Sequence, residues 1–113
     1  MTRRICHAID LADDPAVFAA YEARHRIGGP PAAVNANIRA GGVVEMEIYR
    51  VADRLFMIME VNDDFDPAAL AEADVADPVI AAWATEMAAL QRPIGDAASW
   101  APMTCVYRLS DQP

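Results

Sequence analysis

Residues 43–61 read Val43-Val44-Glu45-Met46-Glu47-Ile48-Tyr49-Arg50-Val51-Ala52-Asp53-Arg54-Leu55-Phe56-Met57-Ile58-Met59-Glu60-Val61, and the change of pattern within this stretch decides the fold. From Val43 to Tyr49 the hydrophobicity alternates with period two. This places Val44, Met46 and Ile48 on one face of a strand and Glu45, Glu47 and Tyr49 on the other. Arg50 to Arg54 is a connection of turn length. Leu55 to Val61 is then almost uniformly apolar, as expected of a central strand covered on both sides. The two runs predict a hairpin with one polar outer face.

Upstream of the hairpin, Gly41-Gly42 stops a short helix over Ala32 to Ala40, in which Val34 and Ile38 lie one turn apart. Gly28-Gly29-Pro30-Pro31 separates it from an earlier helix, which opens at Asp13-Asp14-Pro15 and runs to about His25. Arg4 to Asp10 is a strand-sized apolar run. Downstream, Asn62 to Pro67 is a solvated loop that caps a short alanine-rich helix through Ala73. Asp77-Pro78 opens a helix to about Leu90 with Ile80, Trp83, Met87 and Leu90 at helical spacing. Pro93 to Pro102 reads as loop, Met103 to Leu109 as a last alternating strand, and Ser110 to Pro113 as a tail.

The order strand, helices, hairpin, helices, strand is the split βαβ arrangement of ferredoxin-like α+β domains: a four-stranded antiparallel sheet with helices on one face. One domain spans residues 1–113. The uncovered sheet face requires a partner, and a second copy of the chain is the expected one, giving a homodimer.

Composition excludes several classes. With a net charge of −8 and no lysine among 113 residues, the chain lacks the clustered cations that nucleic acid or an anionic membrane requires, and Schiff-base chemistry is excluded too. The apolar run near the amino terminus ends at Asp10, too short for a signal-peptide core or a membrane span, so a cytoplasmic protein is expected. Cys6 and Cys105 read as buried free thiols without metal-ligand spacing. Asp63, Asp64 and Asp66 lack the glycine and distal glutamate of a calcium loop, so no metal is expected.

Tyr21 and His25 are the most specific chemical statement in the chain. One helical turn puts a phenol and an imidazole on the same face. Histidine titrates near neutrality, and tyrosine can donate a hydrogen bond while remaining neutral. The alternative reading is a pair of half-buried residues with satisfied polar tips. Trp83 sits at core spacing with Ile80 and Met87. His7 is read as a strand residue.

Tyr21-Glu22-Ala23-Arg24-His25, Ile38-Arg39-Ala40-Gly41, Met46-Glu47-Ile48-Tyr49-Arg50, Arg54-Leu55-Phe56-Met57-Ile58-Met59-Glu60, Trp83 and the terminal strand follow one another in an order that resembles the L-rhamnose and L-fucose mutarotase family, from about Ile5 to Leu109. The resemblance implies a dimeric α+β barrel that interconverts the α and β anomers of a 6-deoxy sugar, without metal or organic cofactor. It implies His25 as the acid/base group, Tyr21 as a sugar-contacting hydroxyl and Trp83 as an aromatic lining the sugar site. Met46 falls where some members carry a substrate-contacting tyrosine.

Tyr49 and Glu60 complete the candidate sugar-binding set. For Tyr49 the alternative is a solvated or interface-facing sheet face, and for Glu60 it is exposure at the strand edge. Where the family usually carries a Trp-Pro-Glu-like run after the histidine, this chain has Gly29-Pro30-Pro31-Ala32-Ala33, which implies an altered rim and a different or smaller ligand. The two other readings are a non-catalytic sugar-binding protein of this fold and a small oxygenase-like enzyme of dimeric α+β barrel type.

Overall fold

The computed structural model describes residues 1–113. Its elements are β1 (Arg3–Leu11), α1 (Pro15–Arg24), α2 (Ala32–Ala40), β2 (Val43–Val51), β3 (Arg54–Val61), α3 (Pro67–Ala76), α4 (Pro78–Leu90), β4 (Gln91–Arg92) and β5 (Ala101–Pro102), with a 3-10 turn at Leu109–Asp111. Three Asp-Pro dipeptides start three of the helices. Proline, with φ preset and no N–H to lose, occupies the first helical position, and the preceding carboxylate accepts orphan backbone N–H groups. Asp14 accepts from Ala16 at 2.9 Å, Asp66 from Ala68 and Ala69 at 3.1 and 3.2 Å, and Asp77 from Val79 at 2.9 Å.

The sheet is antiparallel throughout. β3 lies between β2 and β1, and the outer edge of β1 is shared by the two-residue strands β4 and β5. The hairpin forms as the sequence predicts, with Met46 opposite Met59 and Ile48 opposite Met57. Its turn is tighter than the five residues expected, since Val51 already pairs with Arg54 and Ala52 takes the left-handed conformation at φ 50°.

Val44 departs from the predicted face. A bulge between Val43 and Glu45 adds a residue to β2, so Val44 is 57% exposed and does not join Met46 and Ile48.

The expected terminal strand, Met103 to Leu109, does not form. Met103 N–H donates to the Cys6 carbonyl at 2.9 Å, continuing the pairing of β5, and the chain then leaves the edge of β1. Val106 is 93% exposed and Leu109 74%. Alternation reports that a segment suits a two-faced strand but does not say which edge receives it. The sheet therefore has three long strands and two short ones. Cys105, expected buried, is exposed on this arm, and Cys6 is half-buried; both are free.

All four α-helices cover one face. Register places Ile9, Leu11, Leu55, Met59 and Val61 on that face. There Ile9, Leu11 and Leu55 pack with Tyr21 of α1 and Met87 of α4, while Met59, Val61 and Val43 pack with Ile38 and Leu70. Gly42, at φ 96°, lets the α2–β2 junction close on the loop after β3: an added Cβ would stand 2.7 Å from the Phe65 backbone. The opposite face leaves Tyr49 and Val51 exposed. No helix is long and apolar enough to cross a membrane.

Candidate active site

Between the helices and the sheet lies a cavity of about 360 Å³, within the range of small-ligand pockets. Met46, Ile48 and Met57 of the hairpin line it, as do Val34 and Ile38 of α2, Leu70 of α3, and Ile80, Trp83 and Met87 of α4. Tyr21 and His25 enter from the end of α1.

The pair is built by the helix terminus itself. His25 is the C-cap residue of α1, and its Nδ1 lies 2.7 Å from the Tyr21 carbonyl oxygen. A carbonyl can only accept, so Nδ1 carries the proton and donates it to one of the carbonyls that the helix end leaves without an intrahelical partner. Nε2 of the neutral ring is thereby left with its lone pair. The two rings stack with centroids 4.1 Å apart at 25°, and the Trp83 ring meets His25 edge-on at 5.2 Å.

The electrostatics keep both groups neutral. Burial pushes the His25 pKa below 6.5, partly opposed by the bond to the Tyr21 carbonyl, so the imidazole is a free base at neutral pH. Burial also pushes the Tyr21 phenol up to about 12, with a smaller opposing effect from the Gln91 side chain, so it stays protonated. Arg24 fixes the arrangement from outside. Its guanidinium bonds Glu86 of α4 at 2.5 and 3.3 Å, donates to the Gly29 carbonyl at 3.0 Å, and lies 4.9 Å over the Trp83 ring. A base, a neutral acid and an aromatic wall thus share one small cavity, which suits reversible proton transfer to and from a bound hydroxyl.

Of the residues singled out from the sequence, Tyr21, His25, Trp83 and Met46 come together here. Tyr49 and Glu60 do not. Glu60 is opposite Glu45 in register, on the sheet face away from the helices, where its carboxylate accepts from the Thr2 hydroxyl at 2.7 Å. Tyr49, on that same face, donates to Glu47. Period two forces this: Tyr49 follows the inward-facing Ile48 and Glu60 follows the inward-facing Met59, so both must point the other way.

Sequence reasoning missed Trp100, Gln91, Asn35, Asn37 and Asp74, all of which line the cavity. Trp100 stands in a stretch read as loop. Gln91 follows the last helix without a pattern of its own. Asp74 lies beyond the predicted end of its helix at Ala73, and α3 in fact continues to Ala76. A second aromatic just ahead of the last apolar segment was the one available signal, for Trp100.

The chain is similar to known proteins along nearly its whole length. A family model described as L-rhamnose mutarotase matches residues 4–109. An L-fucose mutarotase of Xanthomonas campestris pv. campestris is 38% identical over 112 residues, covering 96% of this chain and 90% of that protein. Among solved structures, an L-rhamnose mutarotase from Formosa agariphila superposes with a TM-score of 0.67 at 17% identity, covering 95% of this chain and 98% of its own. The tetracenomycin F2 cyclase of Streptomyces glaucescens, a type-II polyketide cyclase, superposes with a TM-score of 0.51 at 18% identity over 94% of this chain and 97% of its own. These two structures share the fold.

Proposed function

The chain belongs to the L-rhamnose mutarotase family, and from that premise we propose that it interconverts the α and β anomers of a 6-deoxy aldose such as L-rhamnose or L-fucose, with His25 and Tyr21 as the acid/base pair. The observation that carries the roles is the His25 Nδ1 bond to the Tyr21 carbonyl, which leaves Nε2 as a base on the cavity wall.

The reaction needs two proton movements and one broken bond. Nε2 of His25 takes the proton from the anomeric hydroxyl, the C1–O5 bond breaks as the C1 carbonyl forms, and Tyr21 hands its phenolic proton to O5. The resulting imidazolium and phenolate are stacked neighbours, so each opposite charge stabilises the other. Rotation about C1–C2 presents the other carbonyl face. O5 then closes on C1, returning its proton to Tyr21, while O1 recovers one from His25. Trp83 and Trp100 offer aromatic surface to the sugar's C–H faces.

Saturation-transfer NMR between the two anomeric protons tests this. Exchange of a 6-deoxy aldose should exceed the buffer rate, and His25→Ala should lose about 10²–10⁴-fold, the usual contribution of a positioned acid/base group. An unaltered rate in that variant would remove His25 from the mechanism.

The exposed apolar arm and the open sheet face support a homodimer in which each covers the other copy: Val106, Tyr107 and Leu109 on the arm and Tyr49 and Val51 on the sheet are all more than half exposed. Light scattering at micromolar concentration should give twice the chain mass. A cytoplasmic setting, where free Cys6 and Cys105 stay reduced, fits the same reading.

A further inference from the structure

Asp74 enters the cavity from a different side than the acid/base pair. It stands in the last turn of α3, which packs on α2 and α4, whereas Tyr21 and His25 come from α1, which packs on α4. It is the one carboxylate lining the cavity.

Fold stability does not account for it. The other aspartates at helix ends cap N-termini, and Asp10 holds Arg54. Asp74 instead puts a negative charge in the last turn of a helix, where the dipole disfavours it. Asp74 is exposed, no hydrogen-bond donor or cation of the chain acts on it, and slight desolvation at the cavity is the one effect that raises its pKa. Nearby on α2, Asn35 and Asn37 bring two amides to the same cavity. The cavity therefore has an apolar body, an acid/base edge at α1, and separate polar groups at α2 and α3.

We infer that the Asp74 carboxylate accepts a hydrogen bond from a sugar ring hydroxyl away from the anomeric carbon and thereby sets which 6-deoxy aldose the site prefers. This rests on the mutarotase reading of the same cavity. L-rhamnose and L-fucose differ in configuration at C2 and C4, so an acceptor fixed on the protein meets a hydroxyl in one sugar and a C–H in the other. A bound sugar that displaces water from the carboxylate and offers it a C–H in return leaves it unpaired in the complex, and this penalty produces discrimination.

The test uses the methyl glycosides of L-rhamnose and L-fucose, which cannot open and so report binding without turnover. Their affinities for the full chain and for Asp74→Asn and Asp74→Ala are read from the fluorescence of Trp83 and Trp100, and anomer exchange of the free sugars is followed in parallel. Removing the carboxylate should weaken the preferred glycoside roughly 10–100-fold, the range for one hydrogen bond to a charged group. The ratio between the two glycosides should fall toward one, and the melting temperature should hold or rise. An unchanged ratio with exchange intact would overturn the role of Asp74 alone, as would failure of the wild-type chain to bind either glycoside. Glycoside binding with no accelerated exchange would sink the mutarotase reading, while a collapsed ratio in that same experiment would still support the role of Asp74.

Discussion

Tyr21→Phe separates the chemistry of the phenol from its packing. The ring is 4% exposed, belongs to the core with Ile9, Leu11, Leu55 and Met87, and stacks on His25. Phenylalanine keeps all of that and removes one oxygen and its proton. The stability cost is that of one lost hydrogen-bonding group beside Gln91, about 1 kcal/mol net, or up to about 3 kcal/mol if the Gln91 amide is left unsatisfied. For a domain near 100 residues each kcal/mol lowers the melting temperature by roughly 4–8 °C. The catalytic cost is larger. If Tyr21 delivers the proton to O5, its loss removes about 10²–10⁴ in kcat, equivalent to about 2.7–5.4 kcal/mol of barrier. Anomer exchange by saturation transfer, measured well below the variant's melting temperature, reads the second quantity, and calorimetry reads the first. A variant that exchanges anomers within twofold of wild type while losing the stated stability would show Tyr21 to be a core residue and refute its role as acid.

Three further outcomes follow from the same geometry. After subtraction of solvent catalysis, kcat/KM should rise with pH through a midpoint below 6.5 and then stay level, because burial lowers the pKa of the His25 base and holds Tyr21 protonated to about 12. A midpoint above 6.5 would contradict the buried-base assignment. His7 has a buried Nδ1 with no partner and a pKa lowered by burial, as His25 does. The unfolded chain therefore takes up these protons first: their stabilisation is full above about 6.5 and is lost as pH falls through the lowered folded values. Replacing His7 with Phe should flatten the melting-temperature profile in that window, and an unchanged slope would count against it. Gly29→Ala would place a Cβ 2.3 Å from the Arg24 carbonyl oxygen, so the loop must shift, and Arg24 with it. Anomer exchange should fall by at least tenfold even where calorimetry shows a folded protein, and full activity would mean the loop does not position the site.

The parts of the fold legible in the sequence are those fixed by local pattern. Asp14-Pro15, Asp66-Pro67 and Asp77-Pro78 announce helices because capping is a short-range interaction, and β2 and β3 announce themselves by period and apolarity. The misread parts depend on distant partners. The bulge that turns Val44 outward exists only in the pairing of β2 with β3. The arm after Pro102 carries a strand pattern without a strand's neighbours in this chain. Within the site, Tyr21 and His25 were legible because one helix carries both. Asp74, Gln91 and Trp100 converge from three separate segments, and nothing in their local sequence records that convergence.

The end of α1 explains why so short a motif can specify a reactive group. A helix ends with unsatisfied carbonyls, and most chains satisfy them with glycine-based turns or water. Here the imidazole of His25 bonds the Tyr21 carbonyl, so the group that closes the helix is also the proposed base, and closing the helix fixes its tautomer. The loop that follows returns to the same terminus. Gly29 folds against the Arg24 carbonyl with no room for a side chain, and Arg24 donates back to the Gly29 carbonyl while its ion pair with Glu86 ties α1 to α4 and Trp83. Exposed ion pairs of this kind contribute little to stability. This pair matters through orientation, because it joins the helix that carries the base to the helix that carries the aromatic wall. The altered loop therefore changes the rim of the cavity while the aim of Nε2 is set one turn earlier, inside the helix.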